Sequence, residues 1–390
     1  GRAEAPRNLA PGQILMSLAA EVAAAAAIGE PLLRPRRHVR RGGSIALAGL
    51  LASALAAPAS AATIWEVGKP QGHIESREDL PSPREFFHKY HRDEGGPFKG
   101  HGRPVLFKGA ARRMPAFNLW TDEYLRKQHG RVKMDQVETE KRETRAKFPH
   151  EDWNLAKFLD HYKTSDIYST AATPKGLADE VFLLPPINCG GFQRKLSQSV
   201  TWFSSGDTRS VIHSDGQLNF HCMIDGSKNW ILWHPKSRIN TPEFGWVHGE
   251  EEAKKDPKFK NTYGAFVGKI DVDNVDLERY PGWGKLKWWK LELVAGDCAF
   301  IPPGWFHFVE SPAQRSISVH AWFHASKDFD QKGCDAMEAK GYNISEYLIR
   351  FSDCDWGWEH DNPKKTKCRI RKSLVAKEST KGSGGDKGEL

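Results

Sequence analysis

The sequence has few cysteines and no apolar run long enough to cross a membrane. Its 390 residues include six Cys, none of them in a Cys-x-x-Cys pair, so the usual signature of a structural zinc site is missing. The apolar run at 45–57 is shorter than the roughly 20 residues that a membrane-spanning helix needs. No internal repeat is evident. The chain does contain 14 Trp residues, which we interpret mainly as packing or rim residues of a β-rich protein.

Residues 1–61 differ in composition from the rest of the chain, because alanine dominates and only three acidic residues occur there. Five Arg residues between positions 34 and 41 precede the apolar run, and Ala59-Ser60-Ala61 follows it. A basic stretch, a short apolar core and a small-residue end are typical of a secretory signal. This order predicts a cleaved targeting leader over 1–61, with an unprocessed buried helix or an anchor as the alternative.

The C-terminal residues Lys387-Gly388-Glu389-Leu390 are similar to the Lys-Asp-Glu-Leu retrieval signal of the endoplasmic reticulum. They end a segment, 374–390, whose Gly and Ser content predicts a disordered tail. The sequon Asn343-Ile344-Ser345 agrees with the same route. We therefore predict the lumen of the endoplasmic reticulum, with the plastid lumen as the alternative. In an oxidising lumen one or two disulfides are expected, without an assignable connectivity.

The charge of the chain does not indicate a nucleic-acid partner. The formal net charge of +8 falls to +4 without residues 1–61, because that segment holds seven of the 57 basic and three of the 49 acidic residues. The basic stretches at Lys254-Lys255 and 364–372 are typical of solvated loops and tails, not of a groove that binds phosphates.

Two short motifs contain residues that could hold a metal ion. His213 and Asp215 form a His-x-Asp pair, and on a strand this spacing directs both side chains to one face. Alone the pair is a weak signal, because a turn Asp beside a partly buried His gives the same pattern. His307 follows the Pro-Pro-Gly corner 302–304, a place that favours a ligand over a packed core histidine. Two imidazoles and one carboxylate are the donor set of non-haem Fe(II) oxygenases, which leave the opposite face of the iron open.

The surrounding residues predict a β-rich barrel. Apolar and aromatic runs at 219–224 and 229–234 flank Asp225-Gly226 and predict two antiparallel strands joined by a tight turn. Lys228 opens the second strand, where by itself it would be a solvated edge residue. Three further strand patterns, separated by a Gly-Asp turn and a Pro-Gly corner, lie at 288–294, 298–301 and 315–323. This succession is typical of a jelly roll.

These motifs occur in the order found in one enzyme family. The segment 202–322 resembles the JmjC domain of Fe(II)- and 2-oxoglutarate-dependent oxygenases. It is most similar to the small protein-hydroxylase branch, which includes the asparaginyl hydroxylase that inhibits hypoxia-inducible factor. The resemblance covers residues 80–325 and is carried by His213-Ser214-Asp215, Asn219, Gly226-Ser227-Lys228, Val272-Asp273, Tyr280-Pro281 and Pro302-Pro303-Gly304-Trp305-Phe306-His307.

The resemblance implies a role for each residue of the site. His213, Asp215 and His307 would hold Fe(II), with O2 and the cosubstrate 2-oxoglutarate taking part in the reaction. Lys228 would pair with the distal carboxylate of 2-oxoglutarate, a charge-assisted contact. His320 stands where the family often has Asn, and a His can also titrate or bind metal. The residues implied as further cosubstrate contacts are Asn219, Ser210, Tyr168 and His320.

The predicted architecture is mainly β, a double-stranded β-helix of the jelly-roll or cupin type. We place an α/β lead-in at 64–195, the barrel at 196–325 and a small C-terminal cap at 326–362. Within the lead-in, the spacing of apolar residues predicts a helix over 153–162. The insert 236–286 separates the two halves of the iron site, and such inserts often carry substrate specificity.

The leading hypothesis for function is a protein hydroxylase that acts on a side chain of a protein or peptide. A lysine demethylase would use the same iron chemistry, but the chain has no recognisable histone-reading module, and the lumenal signals oppose nuclear access. A non-catalytic cupin-like binding or scaffold protein is the third alternative. The intact ligand set together with Lys228 argues against it.

Overall fold

The computed structural model describes residues 62–145, 153–259, 262, 264–344, 346, 349–354 and 368. The strands among them are β1 (Lys69–His73), β2 (Glu75–Arg77), β3 (Val105–Phe107), β4 (Lys133–Met134), β5 (Val137–Glu138), β6 (Trp153–Asn154), β7 (Tyr168–Ser169), β8 (Phe182–Leu183), β9 (Leu196–Ser204), β10 (Thr208–Arg209), β11 (His213–Ser214), β12 (Leu218–Asp225), β13 (Ser227–Trp233), β14 (Trp246–His248), β15 (Ala265–Val267), β16 (Lys287–Val294), β17 (Cys298–Ile301), β18 (Phe306–Ser311), β19 (Ser316–Phe323) and β20 (Ile349–Arg350). The α-helices are α1 (Pro83–Glu85), α2 (Pro115–Leu119), α3 (Asp122–His129), α4 (Leu155–His161), α5 (Lys175–Ala178), α6 (Gly249–Ala253) and α7 (Gln331–Glu338). A π-helix, Phe86–His91, follows α1, and short 3-10 segments lie at Ala110–Arg113, Pro185–Ile187, Phe192–Lys195, Pro235–Ser237, Pro242–Phe244, Pro257–Phe259, Trp283–Lys285 and Phe351–Asp353.

Three predicted segments fall wholly or partly outside these described residues. They are the leader 1–61, the tail 374–390 with its retrieval-like end, and the last part of the cap, 355–362. Within the described residues, no helix has the length and apolar character needed to cross a membrane.

The strands from β9 to β19, apart from the separate pair of β14 and β15, pass back and forth between two sheets. One sheet has eight strands in the order β2-β3-β17-β12-β19-β9-β7-β5, and the other has six, β1-β16-β13-β18-β10 with β11 also paired to β18. Side chains of the two sheets meet in the space between them, where the rings of His221 on β12 and Trp230 on β13 lie 5.0 Å apart. Strands that wind alternately through two facing sheets form a jelly-roll barrel. The predicted mainly-β jelly-roll architecture is confirmed.

The predicted hairpin across Asp225-Gly226 is wrong. β12 pairs with β17 and β19, whereas β13 pairs with β16 and β18, so the two strands lie in opposite sheets. The Asp-Gly signal marks a bend, and Gly226 indeed has φ +75°, but a local signal does not reveal which strand the next one pairs with. A Cβ on Gly226 would lie 2.2 Å from the carbonyl oxygen of Arg315, so this crossing requires glycine.

Side chains along β12 point alternately to the two faces of the sheet, so this strand contributes both to the hydrophobic core and to the barrel interior. Asn219 and His221 point into the barrel, where they contact interior side chains of the neighbouring strands. Phe220, Cys222 and Ile224 point outwards into a core shared with the lead-in. The lead-in also extends the eight-stranded sheet, because β2 pairs with β3 and β3 pairs with β17.

The insert 236–286 packs on the outer face of the six-stranded sheet. Its Phe244 and Trp283 share a core with outward-facing residues of β13 and β18. β14 and β15 form an antiparallel pair inside the insert. The amide of Val267 on β15 donates to the carbonyl of Ile212 at 2.9 Å. The insert is therefore attached to the chain directly before the first candidate ligand.

The predicted helix at 153–162 is present in a shorter form as α4. The side chain of Asn154 caps it by accepting a hydrogen bond from the Lys157 amide at 2.8 Å, a typical role for Asn at a helix N-terminus. Residues Trp153 and Asn154 themselves pair with β4 as strand β6.

All six cysteines form disulfides, whereas the sequence predicts one or two pairs. The bonds are Cys189–Cys334, Cys222–Cys298 and Cys354–Cys368. The second joins β12 to β17, and the first ties the approach to the barrel to α7. A disulfide content of this kind is typical of proteins that mature in an oxidising compartment.

Candidate metal centre and cosubstrate pocket

The metal-ligand candidates meet where β11 pairs with β18. His213 lies directly opposite His307 in this antiparallel pair. Asp215 lies one residue beyond the end of β11, so the His-x-Asp motif continues past the strand. The amide of Gly304, in the corner before β18, donates to the carbonyl of Asp215 at 2.8 Å. This bond joins the two motifs that the sequence places far apart.

The donor atoms of the three residues converge. The Nε2 atoms of His213 and His307 each lie 3.8 Å from a different carboxylate oxygen of Asp215. All three donor atoms lie within 4.8 Å of one another, and no other group of three such side chains in the described part of the chain does so.

The second nitrogen of each imidazole is bound to the backbone. Nδ1 of His213 bonds to the Val211 carbonyl at 2.8 Å, and Nδ1 of His307 bonds to the Trp305 carbonyl at 2.9 Å. A carbonyl only accepts, so each Nδ1 carries the proton and each Nε2 presents its lone pair towards Asp215. Burial lowers the pKa of both histidines, that of His307 to about 4, and both rings are neutral at neutral pH. This arrangement fits the facial donor set that holds Fe(II).

An arginine without any recognisable motif stands beside the metal centre. Burial lowers the pKa of His213 most, and the positive charge of Arg145 lowers it further. The guanidinium donates to the Ala265 carbonyl at 3.2 Å and pairs with Glu143 at 3.2 Å. Glu143 in turn accepts a hydrogen bond from the Val211 amide at 3.2 Å. Arg145 and Glu143 thus connect the lead-in and the insert next to the first ligand.

Lys228 is enclosed, so its interpretation as a solvated edge residue is wrong. The residue is only 7% exposed. Its ammonium donates to Ser311 Oγ at 3.1 Å and lies 6.0 Å from the ring centroid of Trp202 in the opposite sheet. Burial lowers its pKa to about 8. No described carboxylate forms an ion pair with this ammonium, and a buried cation of this kind suits an anionic ligand.

Two other residues with implied cosubstrate roles have partners in the protein. The buried ring of Tyr168 stacks on Trp202 at 5.9 Å with 20° between the ring planes, so Trp202 contacts both Tyr168 and Lys228. The hydroxyl of Ser210 accepts a hydrogen bond from the Val309 amide at 3.0 Å. Ser210 therefore ties the segment before β11 to β18, close to both parts of the site.

Asn219 and His320 are joined, and a second histidine lies against them. Asn219 Nδ2 is 3.1 Å from His320 Nδ1. His221 faces His320 directly across the β12–β19 pair, with ring centroids 3.6 Å apart. Burial lowers the pKa of both histidines well below the usual value, and the charge of Lys228 lowers both further. His221 carries no motif of its own, and only the register between two strands far apart in sequence reveals it.

The fold is a jelly-roll barrel, and two histidines and one carboxylate come together inside it. This combination defines the class of cupin-type barrels with a candidate metal centre. The profile of the cupin-like domain family matches residues 97–329, which is more than half of the chain. The chain therefore belongs to the cupin-like domain family.

The chain is also similar to JmjC proteins, which confirms the resemblance to the JmjC domain at modest identity. It is 34% identical over 122 residues to Jumonji C domain-containing protein 5 of Drosophila melanogaster, covering 31% of this chain and 26% of that protein. It is 25% identical over 237 residues to Lysine-specific demethylase 8 of Danio rerio, covering 57% and 53%. It is 24% identical over 132 residues to Bifunctional peptidase and (3S)-lysyl hydroxylase JMJD7 of Homo sapiens, covering 33% and 42%. The matches span from about a quarter to about half of these relatives.

Proposed function

We propose that the chain is an Fe(II)- and 2-oxoglutarate-dependent oxygenase that hydroxylates a side chain of a protein or peptide. The observation that carries the proposal is the combination of a three-donor centre and a buried ammonium that has no described carboxylate partner, both beside β18. His307 and Ser311 lie on one face of β18, about 13 Å apart at 3.3 Å per residue. A diacid that reached from the metal centre to the ammonium would therefore lie along this face of β18.

In this proposal the iron supplies the oxidising chemistry with O2, and the chain supplies binding and orientation. His213, Asp215 and His307 would hold Fe(II) from one side. Lys228 would neutralise the distal carboxylate of 2-oxoglutarate, and the barrel walls would strengthen that contact by excluding water. The residues proposed for the rest of the pocket wall are Tyr168, Asn219, Ser210 and His320.

The names of the relatives support an oxygenase and leave two reactions to compare. The human relative is named a lysyl hydroxylase, and the zebrafish relative is named a lysine-specific demethylase. The zebrafish protein gives the longer match, so lysine demethylation is the second candidate function. A non-catalytic scaffold is disfavoured, because keeping Lys228 buried without a carboxylate costs stability that a scaffold has no reason to lose.

Turnover of 2-oxoglutarate to succinate by the purified protein with Fe(II) tests the proposal, with His213→Ala as the inactive variant. His73→Ala is the matched control, since the His73 side chain is 62% exposed. Mass spectrometry of cells with wild-type or His213→Ala protein then distinguishes the reactions. Gain of one oxygen on a target peptide supports hydroxylation, and loss of methyl groups supports demethylation. Equal succinate release from wild type and His213→Ala contradicts both.

We also propose the lumen of the endoplasmic reticulum as the compartment. The three disulfides support it, and the sequon residue Asn343 is exposed. Digestion with endoglycosidase H should therefore increase the electrophoretic mobility of wild-type protein and leave Asn343→Gln unchanged. Cysteines that are alkylated in cells without prior reduction would contradict the compartment.

A further inference from the structure

The barrel contains an imidazole pair that the proposed metal centre does not use. His221 on β12 and His320 on β19 are opposite each other in register, with ring centroids 3.6 Å apart and 53° between the ring planes. The two residues are 2% and 5% exposed. Trp230 contacts both this pair and the metal centre, at 5.0 Å from His221 and 5.4 Å from His307. We call His221 and His320 the second pair.

The hydrogen-bonding atoms of the second pair have few partners in the protein. Asn219 Nδ2 can only donate, so His320 Nδ1 accepts at 3.1 Å, and the proton of the neutral ring lies on Nε2. That Nε2 and both nitrogens of His221 have no partner among the described residues, and neither has Asn219 Oδ1. The second pair therefore offers two N–H donors that the protein does not use. A buried polar group without a partner costs free energy.

The charges around the second pair indicate the class of ligand. The positive charge that lowers the pKa of both rings, after burial, is the ammonium of Lys228. The described residues provide no third His, Cys, Asp or Glu that would complete a metal site with this pair. A cation would thus meet an ammonium without a compensating carboxylate, which is unfavourable. An anion with several oxygens would satisfy the N–H donors and the ammonium together.

We propose that His221 and His320 bind the diacid cosubstrate by donating hydrogen bonds from the eight-stranded sheet, while Lys228 holds the same molecule from the six-stranded sheet. This inference rests on the proposed function and deepens it, because it assigns hydrogen-bond donors to 2-oxoglutarate on both sheets of the barrel. It also gives His221 a role.

Binding without turnover is the measurement. Calorimetric titration of 2-oxoglutarate into the Mn(II)-loaded protein reports the full site. Titration of glutarate, which lacks the keto group, into the metal-free protein reports Lys228 and the second pair without chelation. His221→Phe keeps a ring of similar size and removes both nitrogens, and His320→Leu removes the donor. Each change should weaken binding of both acids by about tenfold or more, and Mn(II) affinity should stay unchanged.

The melting temperature of the ligand-free variants is a second measurement. Replacing a histidine with a purely structural role should lower this temperature, whereas replacing a ligand-binding histidine without partners should not. His221→Phe should raise the melting temperature or leave it unchanged, because two unpaired buried nitrogens disappear. His91→Phe is the matched control. His91 is 6% exposed and its Nε2 bonds to the Ser326 carbonyl at 2.8 Å. That control should lose stability and bind 2-oxoglutarate like wild type.

The outcomes distinguish a failure of the inference from a failure of the proposed function. Wild-type affinity for both acids in His221→Phe and His320→Leu overturns the inference and leaves the proposed function intact. Failure of the Mn(II)-loaded wild-type protein to bind 2-oxoglutarate overturns the proposed function itself. If either substitution prevents folding, His221→Met and His320→Met decide, since each fills the space without a hydrogen-bond donor. Full affinity for both acids in these two variants would also overturn the inference.

Discussion

The barrel contains two imidazole pairs that differ in their surroundings more than in their own chemistry. Each pair consists of histidines that face each other across neighbouring antiparallel strands. In the metal pair, His213 and His307, both Nε2 atoms face the carboxylate of Asp215. Around the second pair the influential charge is an ammonium instead. Two histidines on paired antiparallel strands can thus form a site for a cation or for an anion. The charged side chain beside the pair decides which of the two ions the site suits.

Removing the carboxylate should leave the metal pair, like the second pair, without a negative charge that can hold a cation. Asp215→Asn keeps the size of the side chain and removes its charge, so we expect Fe(II) affinity to fall by about a hundredfold or more and succinate formation to stop. Bound iron after gel filtration is the measurement. Asp335→Asn is the control, because Asp335 is exposed on α7. Wild-type iron content in Asp215→Asn would mean that the three donors do not form the metal site.

Removing the ammonium of Lys228 tests whether the region around the second pair binds an anion. Lys228→Ala should raise the 2-oxoglutarate concentration needed for half-maximal succinate formation by roughly ten- to a hundredfold, because a charged hydrogen bond of about 1.5–3 kcal/mol is lost. Iron binding should be largely preserved. Lys228→Arg should rescue poorly, since the planar guanidinium is bulkier. Lys287→Ala, at the exposed start of β16, is the control. Superimposable titration curves for wild type and Lys228→Ala would refute the assignment.

The same ammonium predicts a pH dependence of smaller size. Burial lowers the pKa of Lys228 to about 8, so the side chain is charged below this pH and loses its proton above it. Affinity for 2-oxoglutarate should be constant at neutral pH and decline by at most about tenfold per pH unit above 8. Calorimetric titration at several pH values is the measurement. Lys228→Ala should show no decline over this range, and an equal decline in that variant would assign the effect to another group.

Substitution of Arg145 should have the smallest effect on Fe(II) affinity. Its guanidinium is positive, lies close enough to lower the pKa of His213, and pairs with Glu143. Arg145→Met should therefore strengthen Fe(II) binding, by about two- to fivefold, because repulsion is removed and a carboxylate is released. Arg142→Met is the control, since Arg142 pairs with Asp207 and its side chain is 56% exposed. Weaker iron binding in Arg145→Met would show that the arginine supports the site sterically.

Features with local causes could be predicted from the sequence. The strand pattern at 298–301 coincides with β17, Cys298–Ile301, because a Gly-Asp turn and a Pro-Gly corner bound a short apolar run. The His-x-Asp motif and His307 are also adjacent to such signals, and the structure brings them together. Turn chemistry and alternation act over a few residues, so one sequence displays them directly.

Features that depend on strand register could not be predicted. His221 faces His320, and Trp202 stands opposite Lys228, only because of which strands lie side by side. The incorrect hairpin has the same cause, since the bend at Asp225-Gly226 is visible in the sequence but the sheet that receives the next strand is not. Arg145 is near His213 through contacts with the insert, and a single sequence does not show such contacts.

The bend at Gly226 has a consequence for the range of acids that the barrel accepts. It joins β12, which carries His221, to β13, which carries Lys228, so the two walls of the pocket diverge from this residue. Its φ is +75°, and a Cβ there would lie 2.2 Å from the Arg315 carbonyl oxygen, so the bend has no space for a side chain. Any replacement would push the walls apart without altering a group that touches the ligand. Selectivity for the length of a diacid would then depend on a residue that has no side chain.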